Sequence, residues 1–266
     1  MCRLLGIVAS HPTEFRVVLR EAPRSLFALS LEHKDGWGVA MHEDGAWSVH
    51  KNTDCAARCA RYDALASRGR ASLLIAHIRQ KTVGETTLEN THPFTQGAWV
   101  FAHNGTMRDM ATLARGTSPV RAAEVRGETD SERLFAFLLS RVDETDGTER
   151  AVERALFDAC RTLRAVADVG AFNFVLSDGK TLYAHRFGRS LYILERAPDP
   201  RRASLPAAPL RESGSRLSIE PGWRPRTSAV LVASERLTDE AWAEIPDSTL
   251  VRVRRDPGPS VHRIAA

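Results

Sequence analysis

The sequence has no long apolar run. Its stretches of consecutive hydrophobic residues, such as 73–76 and 229–233, are far shorter than the roughly 18 residues that a membrane-spanning helix needs. The apolar segment 2–9 is short and lacks the distinct charged region that opens a secretory signal. We therefore expect a cytoplasmic protein without a membrane partner.

Cysteine is also scarce, with four residues at positions 2, 55, 59 and 160. Their irregular spacing predicts no disulfide framework. Cys55 and Cys59 are four residues apart without paired zinc ligands nearby, so we expect them on one helix face. The segment Gly36-Trp37-Gly38 lacks the third glycine of a phosphate-binding loop. We expect neither a metal nor a cofactor.

Neither positive nor negative charge is in large excess. The formal net charge is +4 and the pI is about 9.1, but 33 acidic residues balance 37 basic ones. The arginines are scattered and form no basic stripe interleaved with aromatic residues. We therefore expect no nucleic-acid partner.

The hydrophobic content of 43% over 266 residues is enough for a substantial core, and the pattern is most simply that of one domain. Apolar segments predict strands at 2–9, 72–78, 98–102, 172–176, 181–184, 228–233 and 249–253, with a hairpin at 39–49. Helical patterns cover about 12–31, a segment beginning near 54, and about 106–115, 131–142 and 148–168. This alternation favours layered sheets covered by helices.

One segment differs from the rest of the chain. Residues 197–226 contain six of the 13 prolines together with Ser, Arg and Gly, which predicts a long loop. We therefore divide the single predicted domain, 1–266, into a main region at 2–196, a Pro-rich loop at 197–226, and closing strands with a tail at 227–266.

The second residue can supply a complete nucleophile and base. Removal of Met1 would leave Cys2 with a free α-amine, whose ordinary pKa of ~7.7–8.0 lets it take the thiol proton at cellular pH. A chance cysteine on a frayed terminus is the alternative, so other features must decide.

Several motifs follow in order: Asp35 to Ala40, His77 to Thr82, Glu89 to Phe94, His103 to Gly105, and Gly127 to Glu132. Together with Cys2, with Phe172-Asn173 and 176–179, and with 232–235, this set resembles the class II glutamine amidotransferases, in particular their stand-alone YafJ-type members. The resemblance covers nearly the whole chain. It implies an α+β fold, the four-layer αββα sandwich of the N-terminal-nucleophile (Ntn) hydrolases, in which two antiparallel sheets face each other between helices.

The resemblance also implies catalytic roles. Cys2 attacks the side-chain amide of glutamine, releases ammonia and leaves a γ-glutamyl thioester. The Asn104 side-chain amide and the Gly105 backbone N–H form the oxyanion hole, and we expect Gly105 to turn the chain after a strand ending at Ala102. An Asn-Gly dipeptide alone would equally fit an ordinary β-turn.

Three residues correspond to the family's substrate contacts. Arg79 matches the arginine that grips the α-carboxylate, Asp130 matches the carboxylate that receives the ammonium, and Thr82 matches a threonine lining the glutamine pocket. Asp130 also fits a capping box formed by Thr129 and Glu132, and both roles can hold at once. A solvated arginine is the alternative for Arg79. Gln80 and Val83 depart from the pattern of larger members, in which aromatic residues or histidine stand there.

Three histidines in the motif region, His77, His92 and His103, lack zinc-type spacing. We expect them to make buried structural hydrogen bonds at strand ends. Asp35 and Trp37 are expected to be scaffold near the site.

These residues leave several functions open. The first is a glutaminase that supplies ammonia to an acceptor on a separate polypeptide, and the second is a hydrolase of another γ-glutamyl amide. A bile-salt or penicillin type of amide hydrolase would leave the matched Arg79 and Asp130 unexplained. A binding protein without turnover, or a redox protein working through Cys2, is the non-enzymatic alternative.

Overall fold

Two antiparallel sheets face each other in the computed structural model, which describes residues 2–198 and 227–265. The seven-stranded sheet has the order β11-β9-β10-β1-β4-β2-β3. Its strands are β1 (Arg3–Glu14), β2 (Trp37–Glu43), β3 (Ala46–Asn52), β4 (Arg70–Ile78), β9 (Tyr192–Arg196), β10 (Ala229–Ala233) and β11 (Ala243–Glu244). The six-stranded sheet has the order β13-β12-β8-β7-β6-β5. Its strands are β5 (Phe94–Gln96), β6 (Trp99–Met107), β7 (Gly170–Ser177), β8 (Thr181–His185), β12 (Leu250–Arg254) and β13 (Ser260–Ile264).

Helices cover the outer face of each sheet. A π-helical turn (Val17–Glu21), α1 (Leu26–Leu29), a 3₁₀ turn (Ala56–Arg58) and α2 (Ala60–Arg68) supply residues to the core outside the seven-stranded sheet. Outside the six-stranded sheet, the core includes residues of α3 (Met110–Gly116), α5 (Asp130–Asp143) and α6 (Glu149–Arg164). The short α4 (Pro119–Ala123) precedes α5. No helix within the described ranges is both long and apolar enough to cross a membrane.

The period-two pattern of the strands builds three apolar layers. In β1, Leu4 and Val8 belong to the core between the sheets, whereas Leu5 and Ile7 belong to the core beneath the helices. The same alternation in β6 sends Ala102 inward and Phe101 outward, where its ring lies 5.0 Å from that of Phe135 in α5. The order helix, sheet, sheet, helix confirms the predicted α+β, four-layer αββα fold.

Two predicted helices are wrong in detail. The strand β1 continues to Glu14, which pairs with Arg70, and Pro23 follows the extended residue Ala22, so the predicted helix at 12–31 is only the π-helical turn and α1. Cys55 and Cys59 both have extended backbone and stand before separate helical turns. They therefore do not share one helix face.

The other predicted elements are found with shifted ends. The hairpin between β2 and β3 turns through Asp44 and Gly45, both with positive φ, and β7 and β8 are joined as expected. The closing strands divide between the sheets, since β10 joins the seven-stranded sheet and β12 the six-stranded one. The predicted loop at 197–226 lies outside the described residues except for 197 and 198. The division of the chain into 2–196, 197–226 and 227–266 stays a prediction.

Candidate active site

Cys2 stands at the entrance to the space between the sheets. The register of β1 against β4 pairs Arg3 with Ile78 and Leu4 with His77, so Cys2 comes opposite Arg79 on the inner face. Its Sγ accepts a hydrogen bond from the backbone N–H of Gln80 at 3.3 Å and lies 3.3 Å from the carbonyl oxygen of the same residue. The backbone just after β4 thus fixes the sulfur from one side.

Burial decides the protonation state of this thiol. Removal from water raises the pKa of Cys2, and the Gln80 N–H and the Arg79 charge oppose that effect only in part. The free thiol is therefore protonated at neutral pH. A nucleophilic role for Cys2 requires a base that removes this proton.

Asn104 and Gly105 lie inside β6, not in a turn after it. The strand runs from Trp99 to Met107, and the two residues pair with Asn173 and Phe172 of β7. The prediction that Gly105 turns the chain is therefore wrong. Glycine is needed here for close approach, because a Cβ at this position would stand 1.9 Å from the carbonyl oxygen of Ala171.

The Gly105 N–H points away from β7. Just after β6, the N–H of Arg108 donates to the carbonyl oxygen of Val169, next to β7. The N–H of Met107, the last residue of β6, donates to the Asp130 carboxylate on the opposite side. Since backbone groups of alternate residues point to the same edge, Gly105 presents its N–H on the side of Met107. On that side β5 pairs only with residues 99–101 of β6. This edge forms a wall of the pocket beside Cys2.

Asn104 occupies the neighbouring position on the inner face. It is buried, and it continues the inward set that includes Ala102. Its strand partner Asn173 is saturated by loop contacts: its amide donates to the carbonyls of Arg189 and Ser190 and accepts from the N–H of Phe187. Asn173 is thus structural.

Arg79 holds an unused donor. Its side chain is only 3% exposed, and its Nη2 donates to the carbonyl oxygens of Val83 at 3.1 Å and Gly84 at 3.4 Å. Its Nη1 is buried without a hydrogen-bond partner among the described residues. A buried cationic donor in this state favours an anion as its ligand, and carboxylate suits the planar guanidinium best.

Asp130 begins α5 and ties this helix to β6. Its Oδ2 accepts the N–H of Met107 at 2.7 Å. The predicted cap is half formed: the Thr129 hydroxyl accepts the N–H of Glu132 at 3.2 Å, but the Glu132 carboxylate accepts from Arg126 and Gly127. Asp130 therefore places a carboxylate in the first turn of α5, and both Asp130 and the capping residue Thr129 line the pocket.

A small pocket brings most of these residues together. The pocket is small in this structure, with a volume of about 20 Å³. Thr82 lies exposed at its rim. The lining residues are Cys2, Arg79, Gln80, Thr82, Val83, Asn90, His92, His103, Gly105, Thr129, Asp130 and Ser131. Asn104 is the one predicted site residue outside this lining, although it adjoins Gly105.

The three histidines are buried and neutral: His92 and His103 line the pocket, and His77 packs against His92 just behind it. His77 donates through Nε2 to the carbonyl oxygen of His103 at 3.2 Å, and Nδ1 of His103 shares a hydrogen bond with Ser131 at 2.8 Å. Burial lowers the pKa of His77 to about 3, and it lowers the pKa values of His92 and His103 as well. The expected buried hydrogen bonds are confirmed for His77 and His103. The expectation is wrong for His92, whose ring contacts those of His77 and Phe94 and whose nitrogens have no hydrogen-bond partner in the described chain.

Asp35 and Trp37 support the site from outside the pocket. The Asp35 carboxylate accepts the N–H of Lys81 at 2.7 Å, just after Arg79 and Gln80. Trp37 is fully buried, with its ring 5.0 Å from Tyr62. Both positions agree with the expected scaffold role.

Two contributors to the site were not identified from the sequence. Gln80 acts through its backbone and Asn90 through long-range contacts, and neither kind of contact leaves a pattern in the local sequence. Within 2–198 and 227–265, no three side chains of His, Cys, Asp or Glu are grouped so that they could hold a metal ion.

Comparison with known proteins identifies the family. The family model for class II glutamine amidotransferases matches residues 1–262. The chain is 30% identical to YafJ of Escherichia coli over 92% of this chain and 94% of YafJ. It is 28% identical to the gamma-glutamyl-hercynylcysteine sulfoxide hydrolase of Mycobacterium tuberculosis CDC 1551, over 95% of this chain and 93% of that one.

A solved structure agrees with this result. A crystal structure from Pseudomonas aeruginosa, described as that of a predicted glutamine amidotransferase, superposes with a TM-score of 0.62 at 28% identity, covering 94% of this chain and 96% of that one. Together, the family match and the four-layer sandwich confirm the family and the fold expected from the motifs. The chain belongs to the class II glutamine amidotransferases and is an Ntn-type amidohydrolase.

Proposed function

We propose that this protein hydrolyses the side-chain amide of glutamine through Cys2. After removal of Met1, the Cys2 α-amine takes the thiol proton, and the sulfur bonds to the amide carbon. The α-ammonium then returns its proton to the leaving nitrogen, the C–N bond breaks, and ammonia departs. Water attacks the resulting γ-glutamyl thioester, which releases glutamate and restores the thiol.

The observation that carries this proposal is the position of the thiol. Cys2 lies opposite Arg79, whose Nη1 has no hydrogen-bond partner among the described residues, and it lines the same pocket as Gly105. A nucleophile, an anion-binding side chain and a fixed backbone donor therefore surround one small space. The Gly105 N–H and the Asn104 amide are assigned to the oxyanion that forms when sulfur attacks.

The same pocket supports a clamp for a free amino acid. The Arg79 guanidinium is assigned to the α-carboxylate, and the Asp130 carboxylate, 8% exposed, to the α-ammonium. Thr82 at the rim completes the assigned substrate contacts. This arrangement selects a γ-glutamyl group and presents its amide carbon to the sulfur.

The leaving group decides between two substrate classes. Loss of ammonia from glutamine would supply a separate acceptor chain, which fits the family to which this protein belongs. The second candidate is a larger γ-glutamyl amide, and the similarity to the Mycobacterium tuberculosis hydrolase favours it. A cytoplasmic location suits both.

Parallel assays of glutamine and γ-glutamyl peptides test the proposal. We expect ammonia release from glutamine by the wild-type protein and none by Cys2→Ala. The control is Cys59→Ala, since Cys59 is partly exposed at the start of α2 and does not line the pocket. If the protein does not act on glutamine but cleaves γ-glutamyl peptides rapidly, the second function replaces the first. Equal ammonia release by Cys2→Ala would refute both, and binding without turnover would favour the non-enzymatic alternative.

A further inference from the structure

Asn90 joins two segments that are far apart in the sequence. Its side-chain Nδ2 donates to the carbonyl oxygen of Glu85 at 3.1 Å, and its Oδ1 accepts the N–H of Glu128 at 2.8 Å. The residue is 3% exposed and lines the pocket. One buried amide thus uses its donor on one segment and its acceptor on another.

The first of these segments continues from Arg79. The Arg79 side chain donates to the carbonyls of Val83 and Gly84, and the next carbonyl, that of Glu85, is the one bound by Asn90. Asn90 therefore holds the same turn of chain that contacts the guanidinium.

The second segment leads into Asp130. Glu128 is two residues before Asp130, and Thr129 between them caps α5. The preceding N–H groups of Arg126 and Gly127 donate to Glu132 inside the helix. The bond from Glu128 to Asn90 therefore fixes the start of the helix that carries Asp130.

The two segments make room for this amide. A Cβ on Gly84 would stand 2.9 Å from Nδ2 of Asn90, and a Cβ on Gly127 would stand 2.4 Å from its Oδ1. Each of the two segments therefore has a glycine at the position where a larger residue would collide with the Asn90 amide. The next residue, Thr91, is anchored to β3 because Lys51 donates to its carbonyl oxygen at 2.9 Å.

We propose that Asn90 is a positioning residue that sets the separation between the Arg79 and Asp130 halves of the substrate clamp. It touches the segments that carry the two halves and makes no hydrogen bond to Cys2 among those described. Its loss should therefore weaken binding of the amino-acid end of the substrate and leave the nucleophile unchanged. This inference rests on the proposed function.

Steady-state kinetics and two labelling reagents test it. We expect Asn90→Ala to raise KM for glutamine about tenfold, as two lost hydrogen bonds allow, with kcat within about threefold. Inactivation by a diazoketone analogue of glutamine, which carries the same α-carboxylate and α-ammonium, should need a correspondingly higher concentration. Alkylation of Cys2 by iodoacetamide, which lacks both groups, should keep its wild-type rate.

Two further variants make the result decisive. Asn90→Asp keeps the size and the acceptor but loses donation to Glu85, so it should also raise KM, and it replaces Asn90→Ala if that variant does not fold. The control is Asn52→Ala, because the Asn52 amide also makes two contacts, to Cys59 and Asp54, outside the pocket. It should leave KM unchanged.

The opposite outcomes are distinct. An unchanged KM in folded Asn90 variants overturns the inference while the proposed function stands. Equal losses in kcat and in iodoacetamide reactivity overturn it too, because Asn90 would then support Cys2 itself. If the wild-type protein neither releases ammonia nor reacts with the glutamine analogue, the proposed function fails and this inference falls with it.

Discussion

Acid should destabilise the protein through the buried histidine behind the nucleophile. Burial lowers the pKa of His77 to about 3 in the folded protein, whereas an unfolded histidine has a pKa of about 6.5. The unfolded chain therefore binds the proton first, and stability falls as the pH drops through 6.5 toward 3. Between pH 7.5 and pH 5, this difference removes about 2 kcal/mol from the free energy of unfolding.

Urea denaturation at the two pH values measures this effect. His77→Gln removes the titrating ring, so its free energy of unfolding should fall by about 2 kcal/mol less than that of the wild type over this interval. His185→Gln is a matched control, since burial lowers the pKa of His185 to about 3 as well, but His185 packs between Phe172 and Phe174 away from the pocket. It should show the same change in acid sensitivity and should leave glutamine turnover at pH 7.5 intact. Acid sensitivity equal to that of the wild type in both variants would refute the reasoning.

Three other substitutions separate the proposed roles in the pocket. Asn104→Ala should lower kcat by ~10²–10³ with little change in KM, the usual effect of losing one oxyanion donor, and an unchanged kcat would remove Asn104 from the oxyanion hole. Arg79→Lys should chiefly raise KM for glutamine, because lysine cannot make the paired bonds of guanidinium to a carboxylate. An unchanged KM in saturation kinetics would show that Arg79 does not bind the substrate. Gly105→Ala should lower the melting temperature as well as activity, because its Cβ would meet the Ala171 carbonyl oxygen at 1.9 Å, and a calorimetric scan identical to that of the wild type would contradict this packing.

The sequence predicted which residues form the site better than it predicted their local backbone geometry. The motifs around Cys2, Arg79, Gly105 and Asp130 indicated the family, and the pocket brings these four together. The predicted turn at Gly105 failed because an Asn-Gly pair is typical of turns, and only pairing with β7 shows that the strand continues.

Contacts between distant segments account for the rest. The extension of β1 to Glu14 depends on its pairing with Arg70, which no local propensity reveals. Asn90 lies in a recognised motif, but its role depends on carbonyl and N–H groups at Glu85 and Glu128. Which backbone groups such a side chain contacts is determined by the tertiary structure and cannot be predicted from the local sequence.

The central claim is that the reaction passes through the sulfur of an unblocked N-terminal cysteine. Mass spectrometry of the active protein, quenched in acid during glutamine turnover and digested, tests this most directly. The account predicts an N-terminal peptide that begins at Cys2, lacks Met1, has a free α-amine and carries the γ-glutamyl group on its sulfur. A fully active protein that retains Met1, or a γ-glutamyl group found on another residue, would contradict it.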